Sequence, residues 1–397
     1  MEKKNKNTLS KPTLPQEIYA QILVKLPIKD ILRYRRVSRL WRSIIDDPHF
    51  KSMHLKNIQN KQNESHLLAF EPHERRSTKQ LCTIRRANTF RKVCNDLGIK
   101  IDRHTHYQAM GYVNGVLCLN RYTSKTDLDR FFLWNPSIKK GLEVPLPELA
   151  KTRGTYFEVD CALGYDPITN DFKIVSSLHL KYGSHLPTYV EIFTLSKNSW
   201  KSIPMNIGPC YWYKNTSKVY LNGVIYWMGI DHMKTTPKGK FPHMVSFDVN
   251  NEVINYINLP NCELINDYEH ERFPIILNGS IALMEIFHVF TNIWVMKDSF
   301  WSKKYTFNLQ LIDHKFLHLK NDGKLLFIGE KGGVYSYNIE SEEHEVIAKS
   351  YKITPLLIGV YVESFMLLDG VDDHILFNLP PSDRVGVDWN VPIANLL

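Results

Sequence analysis

The pattern of apolar and polar positions along the chain changes once, near residue 60. Before that point apolar residues recur three and four positions apart, as in Ile22, Leu23 and Leu26, which is the spacing of one face of an α-helix. After it, turn dipeptides alternate with short runs of apolar, often β-branched or aromatic, residues. The pattern therefore predicts an α+β chain, with a small helical domain followed by a larger all-β domain.

Three helices are predicted in the helical region. The first starts near Thr13, which is a capping residue, and Pro27 stops it. The second opens at Ile28, and Ser38 caps a third that ends at Asp46-Asp47-Pro48. Helices this short are marginal alone, and so small a bundle leaves apolar surface for a partner to cover.

The β region repeats a unit of two strands joined by a tight turn. Asn-Gly or Asp-Gly dipeptides, which favour hairpins, precede apolar runs at Asn114-Gly115, Asn222-Gly223, Asn278-Gly279 and Asp322-Gly323. A second unit places equivalent apolar residues 60, 54, 48 and 42 positions apart, at Leu133, Phe193, Phe247, Val295 and Tyr337. Periods of about 40–50 residues predict a β-propeller of about six blades, with seven as the alternative count. A pair of β-sandwiches is the alternative architecture.

We predict four segments along the chain. Residues 1–12 form a disordered basic N-terminus, and residues 13–57 form the helical domain. Residues 58–104 are a linker that leads into the first strands, because this stretch is basic and its apolar pattern is weak. Residues 105–397 form the β-propeller-like domain.

The charge of the chain is concentrated near its N-terminus. The 397 residues include 50 Lys and Arg and 41 Asp and Glu, a net charge of +9. Residues 1–60 hold 13 basic and 5 acidic residues, whereas residues 105–397 hold 27 and 31. A basic head on a nearly neutral body predicts an acidic partner for the head. Nucleic acid is the alternative partner, and it is disfavoured because the head arginines are not interleaved with the residues that read bases.

Several classes of function are excluded or disfavoured. No segment approaches the ~20 apolar residues of a membrane helix, and no signal peptide is recognised. The cysteines lie too far apart for CxxC motifs, which is typical of reduced thiols in the cytoplasm or nucleus. His104 and His106 have no third ligand nearby, and no nucleotide-binding or nucleophile motif occurs. We expect no cofactor, no metal, no membrane and no catalytic residue.

The helical region resembles the F-box of plant F-box proteins. The matches, without a gap, are Leu14-Pro15, Glu17, Ile22-Leu23, Leu26-Pro27, Leu32, Arg35, Val37-Ser38, Trp41-Arg42, Asp47-Pro48 and Phe50. The resemblance implies docking on the acidic Skp-family adaptor, and through it on cullin, in an SCF (Skp–cullin–F-box) ubiquitin ligase. The adaptor-binding residues that it implies are Leu14, Pro15, Ile22, Leu26, Pro27, Leu32, Val37 and Trp41. Ile18, Leu23, Ile44 and Ile45 are interpreted as the core of the bundle.

The β region resembles the F-box-associated domain of the same plant proteins, including S-locus-type relatives. The matching segments are residues 163–167 with 171–175, 190–204, 221–227 with 244–260, and 293–297 with 299–303. The resemblance implies a kelch-like module that presents a target protein to the ligase. Targets differ between members, so no target-binding residue is carried over. An adaptor-binding scaffold outside the ligase and a propeller enzyme are the alternatives.

Overall fold

A computed structural model of the chain describes most of it. The described residues are 14–61, 66–71, 79–80, 82–94, 99–100, 105–122, 128–148, 157–180, 189–203, 210–212, 217–236, 239–260, 271–286, 290–308, 315–329, 332–349 and 357–372. Within them, four helices precede 28 β-strands. The predicted disordered N-terminus, residues 1–12, lies outside the described residues.

The N-terminal domain is a bundle of short helices. They are α1 (Gln16–Leu23), α2 (Ile28–Tyr34), α3 (Arg39–Asp46) and α4 (Pro48–Lys61). Ser38 caps α3 as predicted, because its Oγ accepts a hydrogen bond of 3.2 Å from the backbone N–H of Trp41. Pro15 occupies the capping position of α1. The predicted capping residue Thr13 lies outside the described residues.

The fourth helix corrects the prediction of three. Asp47 and Pro48 end α3, but they also start α4. The Asp47 carboxylate accepts hydrogen bonds from the backbone N–H groups of His49 (2.7 Å) and Phe50 (3.3 Å). Pro48 occupies the first helical position. A backbone N–H at this position has no partner within the helix, so proline, which lacks the N–H, loses no hydrogen bond there. The prediction failed because the same two residues are a stop signal and a start signal, and only the first was recognised.

The β domain is a six-bladed propeller, which confirms the predicted architecture over a pair of sandwiches. Blade 1 consists, in spatial order, of β27 (Leu357–Val360), β1 (His66–Phe70), β3 (Cys82–Arg86) and β4 (Lys92–Cys94). Blade 2 consists of β6 (His106–Val113), β7 (Val116–Tyr122), β8 (Leu128–Asn135) and β9 (Lys140–Val144), with β28 (Val371–Asp372) at its outer edge. Blade 3 consists of β10 (Phe157–Asp166), β11 (Asp171–Leu180), β12 (Tyr189–Thr194) and β13 (Ser199–Ile203).

The other three blades follow the same antiparallel order. In blade 4, β14 (Cys210–Trp212) and β15 (Val219–Leu221) both pair with β16 (Val224–Thr236), followed by β17 (Gly239–Asp248) and β18 (Val253–Ile257). Blade 5 consists of β19 (Glu271–Leu277), β20 (Ser280–Ile286), β21 (Thr291–Lys297) and β22 (Phe300–Phe307). Blade 6 consists of β23 (Lys315–Leu319), β24 (Lys324–Ile328), β25 (Val334–Asn338) and β26 (His344–Ala348). A separate pair contains β2 (Lys79–Gln80) and β5 (Ile99–Lys100).

The repeat in the sequence corresponds to equivalent positions of the blades. The five apolar residues at regular spacing all lie in the third strand of their blade, from β8 to β25. Asn114-Gly115, Asn222-Gly223 and Asn278-Gly279 join a first strand to a second with positive φ at both residues. Asp322-Gly323 differs, because only Gly323 has a positive φ and its N–H donates to the Lys320 carbonyl at 3.0 Å. This turn therefore starts at Lys320, two residues before its dipeptide, whereas the three Asn-Gly turns start one residue before theirs.

An apolar cluster fills each of the six gaps between neighbouring blades. Successive side chains of a strand point to opposite faces, so each inner strand contributes to two clusters. In β1, Leu67 packs toward blade 6 and Leu68 toward blade 2. In β11, Ile174 packs toward blade 2 and Val175 toward blade 4. Burial on both faces explains why the inner strands are unbroken apolar runs, as in Val116-Leu117-Cys118-Leu119.

The segment 58–104 is not a linker, which corrects the predicted boundaries. It includes the end of α4 and supplies β1, β3 and β4 of blade 1. The last strand of that blade, β27, comes from the other end of the chain and pairs with β1 from Leu67↔Val360 to Phe70↔Leu357, which closes the ring. The basic composition of this segment had indicated a linker, but Arg85 is buried and forms an ion pair of 2.9 Å with Glu71.

The connections of each blade lie on two faces of the ring. Turns between the first and second strands, and between the third and fourth, share one face, which we call the turn face. Contacts between the turns of blades 3 and 4 show this: Asn250 Nδ2 donates to Asp166 Oδ2 (3.0 Å) and Lys173 Nζ donates to the Val249 carbonyl (2.8 Å). Antiparallel order puts the other ends of these strands on the opposite face.

Gly115→Ala should destabilise the protein more than Gly279→Ala. Both glycines follow an asparagine in a tight turn, with φ of 81° and 73°, so both variants incur the same left-handed penalty of about 1–2 kcal/mol. A Cβ on Gly115 would lie 2.4 Å from the Ser364 Cβ, whereas a Cβ on Gly279 meets nothing within 4 Å. Urea unfolding of the two variants measures the difference, and equal losses of unfolding free energy would contradict the tight contact with Ser364.

Candidate functional site

The core of the helical domain includes two residues from the far end of the chain. The helices contribute Leu23, Val24, Ile28, Ile31, Ile44, Ile45 and Phe50, and residues 361–372, which we call the C-terminal segment, contribute Phe365 and Leu368. The Phe365 ring stacks on Phe50 with centroids 5.9 Å apart and lies 4.8 Å from the His54 ring. The helical domain and the propeller therefore share one apolar core.

Hydrogen bonds fasten the C-terminal segment to the turn face of blade 2. Asn135, which is fully buried, donates from Nδ2 to the carbonyls of Ser364 (2.7 Å) and Met366 (2.8 Å). The Tyr112 hydroxyl donates to the Val362 carbonyl (3.3 Å) and accepts from the Val362 N–H (3.0 Å). The segment is thus held between the helices on one side and blade 2 on the other.

A direct contact also joins the helices to blade 2. Gln59 on α4 donates from Nε2 to Asn114 Oδ1 at 2.9 Å. Within the bundle, α4 is tied to the loop between α1 and α2, because Asn57 Nδ2 donates to the Val24 carbonyl (2.8 Å) and His54 Nε2 to the Leu26 carbonyl (3.2 Å). Helix α4, absent from the prediction, is therefore the element through which the bundle rests on the ring.

Charged groups surround this junction. Arg35 binds both oxygens of Asp46, at 2.6 and 2.9 Å, and lies 3.8 Å from Asp369 of the C-terminal segment. Lys51 lies 3.6 Å from the same Asp369. Partial burial opposes ionisation of Asp46, but the hydrogen bonds and charge of Arg35 outweigh it and hold the Asp46 pKa below its usual value. The hydrogen bond to Asp46 raises the pKa of Arg35.

Several apolar side chains of the bundle remain exposed. We call Leu14, Ile18, Ile22, Tyr34 and Val37 the exposed apolar set. Val37, at the corner between α2 and α3, is 65% exposed, and Leu14 and Ile22 are about half exposed. Ile18 and Ile22 are four residues apart and lie on one side of α1, and Leu14 precedes that helix. Clustered apolar residues in contact with water are typical of a protein–protein interface.

Trp41 connects the three helices next to this surface. Its ring lies 5.9 Å from Tyr19 of α1 and 5.0 Å from Tyr34 of α2, in tilted arrangements. The side chain is half-buried and packs partly against the core. Trp41 therefore belongs both to the bundle core and to its surface.

The eight residues implied as adaptor-binding fall into two groups. Exposed ones are Leu14, Pro15, Ile22, Pro27 and Val37, and half-buried ones are Leu26, Leu32 and Trp41. The core interpretation is confirmed for Leu23, Ile44 and Ile45, which are buried, and is wrong for Ile18, which is 37% exposed. Ile18 lies four positions before Ile22 and shares its exposed side of α1. That spacing was visible in the sequence, whereas nothing local marked Phe365 or Leu368.

A cluster of metal-binding side chains is not formed in the described part of the chain. There, no three His, Cys, Asp or Glu residues are placed to hold a metal ion. Cys118 and Cys161 are buried free thiols, and burial raises the pKa of Cys161. Cys262 lies outside the described residues. Among the described helices, none is long and apolar enough to cross a bilayer.

Two models of known protein families match the chain. The F-box domain matches residues 12–53, and the F-box associated beta propeller domain matches residues 50–347. The chain belongs to the plant F-box proteins with an associated propeller. The helical bundle is thus the F-box. The boundary between the two matches falls in α4, the helix that rests on blade 2.

The relatives are F-box proteins of Arabidopsis thaliana. F-box protein CPR1 is 26% identical over 323 residues, covering 74% of this chain and 73% of the relative. F-box protein At3g52320 is 24% identical over 393 residues and covers 91% and 92% of the two chains. Among solved structures, TolB from Acinetobacter baumannii is similar with a TM-score of 0.39 and 8% identity, covering 77% of this chain and 69% of TolB.

Phe365→Ala should loosen the F-box from the propeller. Removing a buried phenylalanine typically costs about 3–5 kcal/mol, and this ring fills the core that the two domains share. Hydrogen exchange should therefore become faster in α1 to α4, while the propeller strands keep their protection. Phe300→Ala is the matched control, because Phe300 is 78% exposed and its removal should change stability by less than about 0.5 kcal/mol. Unchanged exchange in the F-box of the Phe365 variant would contradict the shared core.

Asp46→Asn should make the free energy of unfolding of the F-box depend less on pH in acid. Because the folded-state pKa of Asp46 is lowered, its ionised form stabilises the fold above the ordinary pKa of 3.8, and this is lost as the pH falls through the folded value. The variant should be less stable at pH 7 and lose less below pH ~5. Urea unfolding across this range measures it. Asp30→Asn, whose ion pair with Arg33 is exposed, should retain the wild-type profile, and identical profiles for all three proteins would contradict the prediction.

Proposed function

We propose that this protein is the substrate-recognition subunit of an SCF-type ubiquitin ligase. The F-box binds a Skp-family adaptor, and through it cullin, while the propeller binds a target protein. The observation that carries the proposal is the core shared by the F-box and the propeller, which fixes the position of one domain on the other. A subunit that presents a target to a separate enzyme needs this fixed geometry and no catalytic residue of its own.

The adaptor surface that we propose contains the eight residues of the F-box match together with Ile18 and Tyr34. The exposed apolar set supplies the area to be buried, and central anchors of this kind usually dominate binding energy. Arg36, Arg39 and Arg42 are exposed on the same small domain. Their positive charge suits an acidic partner. Such charge raises the rate of association more than it raises the affinity.

The contribution of the propeller to ubiquitin transfer is positional. A target held at a fixed distance from the ligase reacts as if at high local concentration, and a rigid connection preserves that gain. Here the rigidity comes from the C-terminal segment, whose Phe365 lies in the F-box core and whose Ser364 and Met366 carbonyls bind Asn135 of blade 2. The free buried thiols of Cys82, Cys118 and Cys161 suit a reducing compartment, and we assign the protein to the cytoplasm or nucleus.

Ile22→Asp should abolish adaptor binding without unfolding the protein. Ile22 is exposed in the free protein, so the change leaves the core intact, but it places a charge in the proposed interface. An anchor contributes about 2 kcal/mol or more, so the affinity for a Skp-family adaptor should fall at least ~30-fold. Ile168→Asp, in an exposed turn of blade 3, is the matched control and should bind normally. Titration calorimetry of the full chains measures both, and an unchanged affinity for Ile22→Asp would refute the surface.

Co-purification of cullin separates the ligase subunit from a scaffold. The wild-type chain expressed in plant cells should retain both adaptor and cullin, and Ile22→Asp should lose both. Retention of the adaptor without cullin would favour the scaffold that acts outside the ligase.

A further inference from the structure

The loop between α1 and α2 carries two residues of the proposed adaptor surface, Leu26 and Pro27. Helix α1 ends at Leu23, and Pro27 has no backbone N–H with which the helix could continue. The N–H groups of Lys25 and Leu26 still donate to carbonyls of α1, at 3.2 and 3.0 Å. The carbonyls of Val24 and Leu26 are different, because the end of a helix leaves its last carbonyls without partners inside the helix.

Two side chains of α4 bind these two carbonyls. Asn57 Nδ2 donates to the Val24 carbonyl at 2.8 Å, and His54 Nε2 lies 3.2 Å from the Leu26 carbonyl. Since a carbonyl oxygen only accepts hydrogen bonds, His54 Nε2 carries a proton and donates it. The two residues are three positions apart, so they lie on the same side of α4. This side of α4 therefore fastens the loop at two points.

The position of His54 is itself fixed by packing. The residue is 1% exposed, and its ring lies 4.8 Å from the Phe365 ring of the C-terminal segment and 6.3 Å from the Phe50 ring. A ring packed in this way cannot turn freely, so Nε2 stays directed at the loop. Contacts thus run from the C-terminal segment through His54 to Leu26.

His54 and Asn57 both lie outside the residues that match the F-box, which are 12–53. Their polar groups bind the loop, so their effect on an adaptor passes through Leu26 and Pro27. Ordering a loop costs conformational entropy, and a loop that is already held in its bound conformation avoids that cost at the moment of binding.

We propose that His54 and Asn57 are positioning residues for adaptor binding. They hold residues 24–27 in the conformation that the adaptor recognises, so that Leu26 and Pro27 meet the adaptor without rearrangement. The working F-box of this protein therefore extends into α4, beyond its matched residues. The inference rests on the proposed function, because it concerns the surface that we assign to the adaptor.

The adaptor affinity of variants of the full chain tests the proposal. His54→Leu and Asn57→Leu keep an apolar side chain of similar size but remove the donor. Each should bind a Skp-family adaptor at least ~10-fold more weakly, which is about 1.4 kcal/mol. His54→Gln retains a donor that reaches the Leu26 carbonyl, so it should bind like the wild type. In the free protein, hydrogen exchange at Lys25 and Leu26 should be faster in the two leucine variants than in His54→Gln.

A control variant separates positioning from stability. Ile45→Val removes one methyl group from the F-box core and leaves the loop contacts in place. It should lower the urea midpoint but bind the adaptor like the wild type. Titration calorimetry without urea measures all affinities, and circular dichroism checks that each variant is folded. Where a leucine variant does not fold, His54→Asn replaces it, because its shorter amide does not reach the Leu26 carbonyl, and it should bind more weakly than His54→Gln.

Three results would overturn the inference: unchanged affinity in the leucine variants, equal affinities of His54→Gln and His54→Asn, or an equal loss of affinity in Ile45→Val. In each of these cases the wild-type chain still binds the adaptor. An adaptor that does not bind the wild-type chain would instead contradict the proposed function.

Discussion

The packing of Phe365 and Leu368 into the F-box is the interaction on which the rest of the structure depends. These side chains lie in the core of the helical bundle, although they follow β27, the strand that closes the propeller ring. One continuous stretch, residues 357–372, therefore closes blade 1, crosses blade 2 and completes the F-box. Ring closure, through Leu357–Val360, and F-box packing, through Phe365 and Leu368, therefore both depend on this one stretch of chain.

The physical reason for this arrangement is the small size of the F-box. Helices of seven or eight residues, such as α1, α2 and α3, are marginal in water, and a bundle of this size buries little apolar area of its own. Full burial of Phe365 and Leu368 contributes about 1.5–3 kcal/mol each, a substantial part of a typical stability of 5–15 kcal/mol. Arg35, which is paired with Asp46, also lies 3.8 Å from the exposed Asp369 of the segment.

That junction places the F-box against the turn face of the ring. The F-box leaves its exposed apolar set on the outside of the bundle, and it covers part of the turn face with α4 and the C-terminal segment. In the function that we propose, the shared core keeps the adaptor surface of the F-box at a constant distance from the propeller, which is the property that target presentation requires.

Local signals in the sequence determined much of this protein. The cap at Ser38, the stop at Pro27, three Asn-Gly turns and the spacing of Leu133, Phe193 and Phe247 sufficed for helices, hairpins and six blades, because each depends on neighbouring residues. Tertiary structure alone decided that β1, β3 and β4 join β27 in blade 1 and that Phe365 completes the F-box. These outcomes arise from contacts between distant parts of the chain, and no residue type or spacing near either partner encodes such a contact.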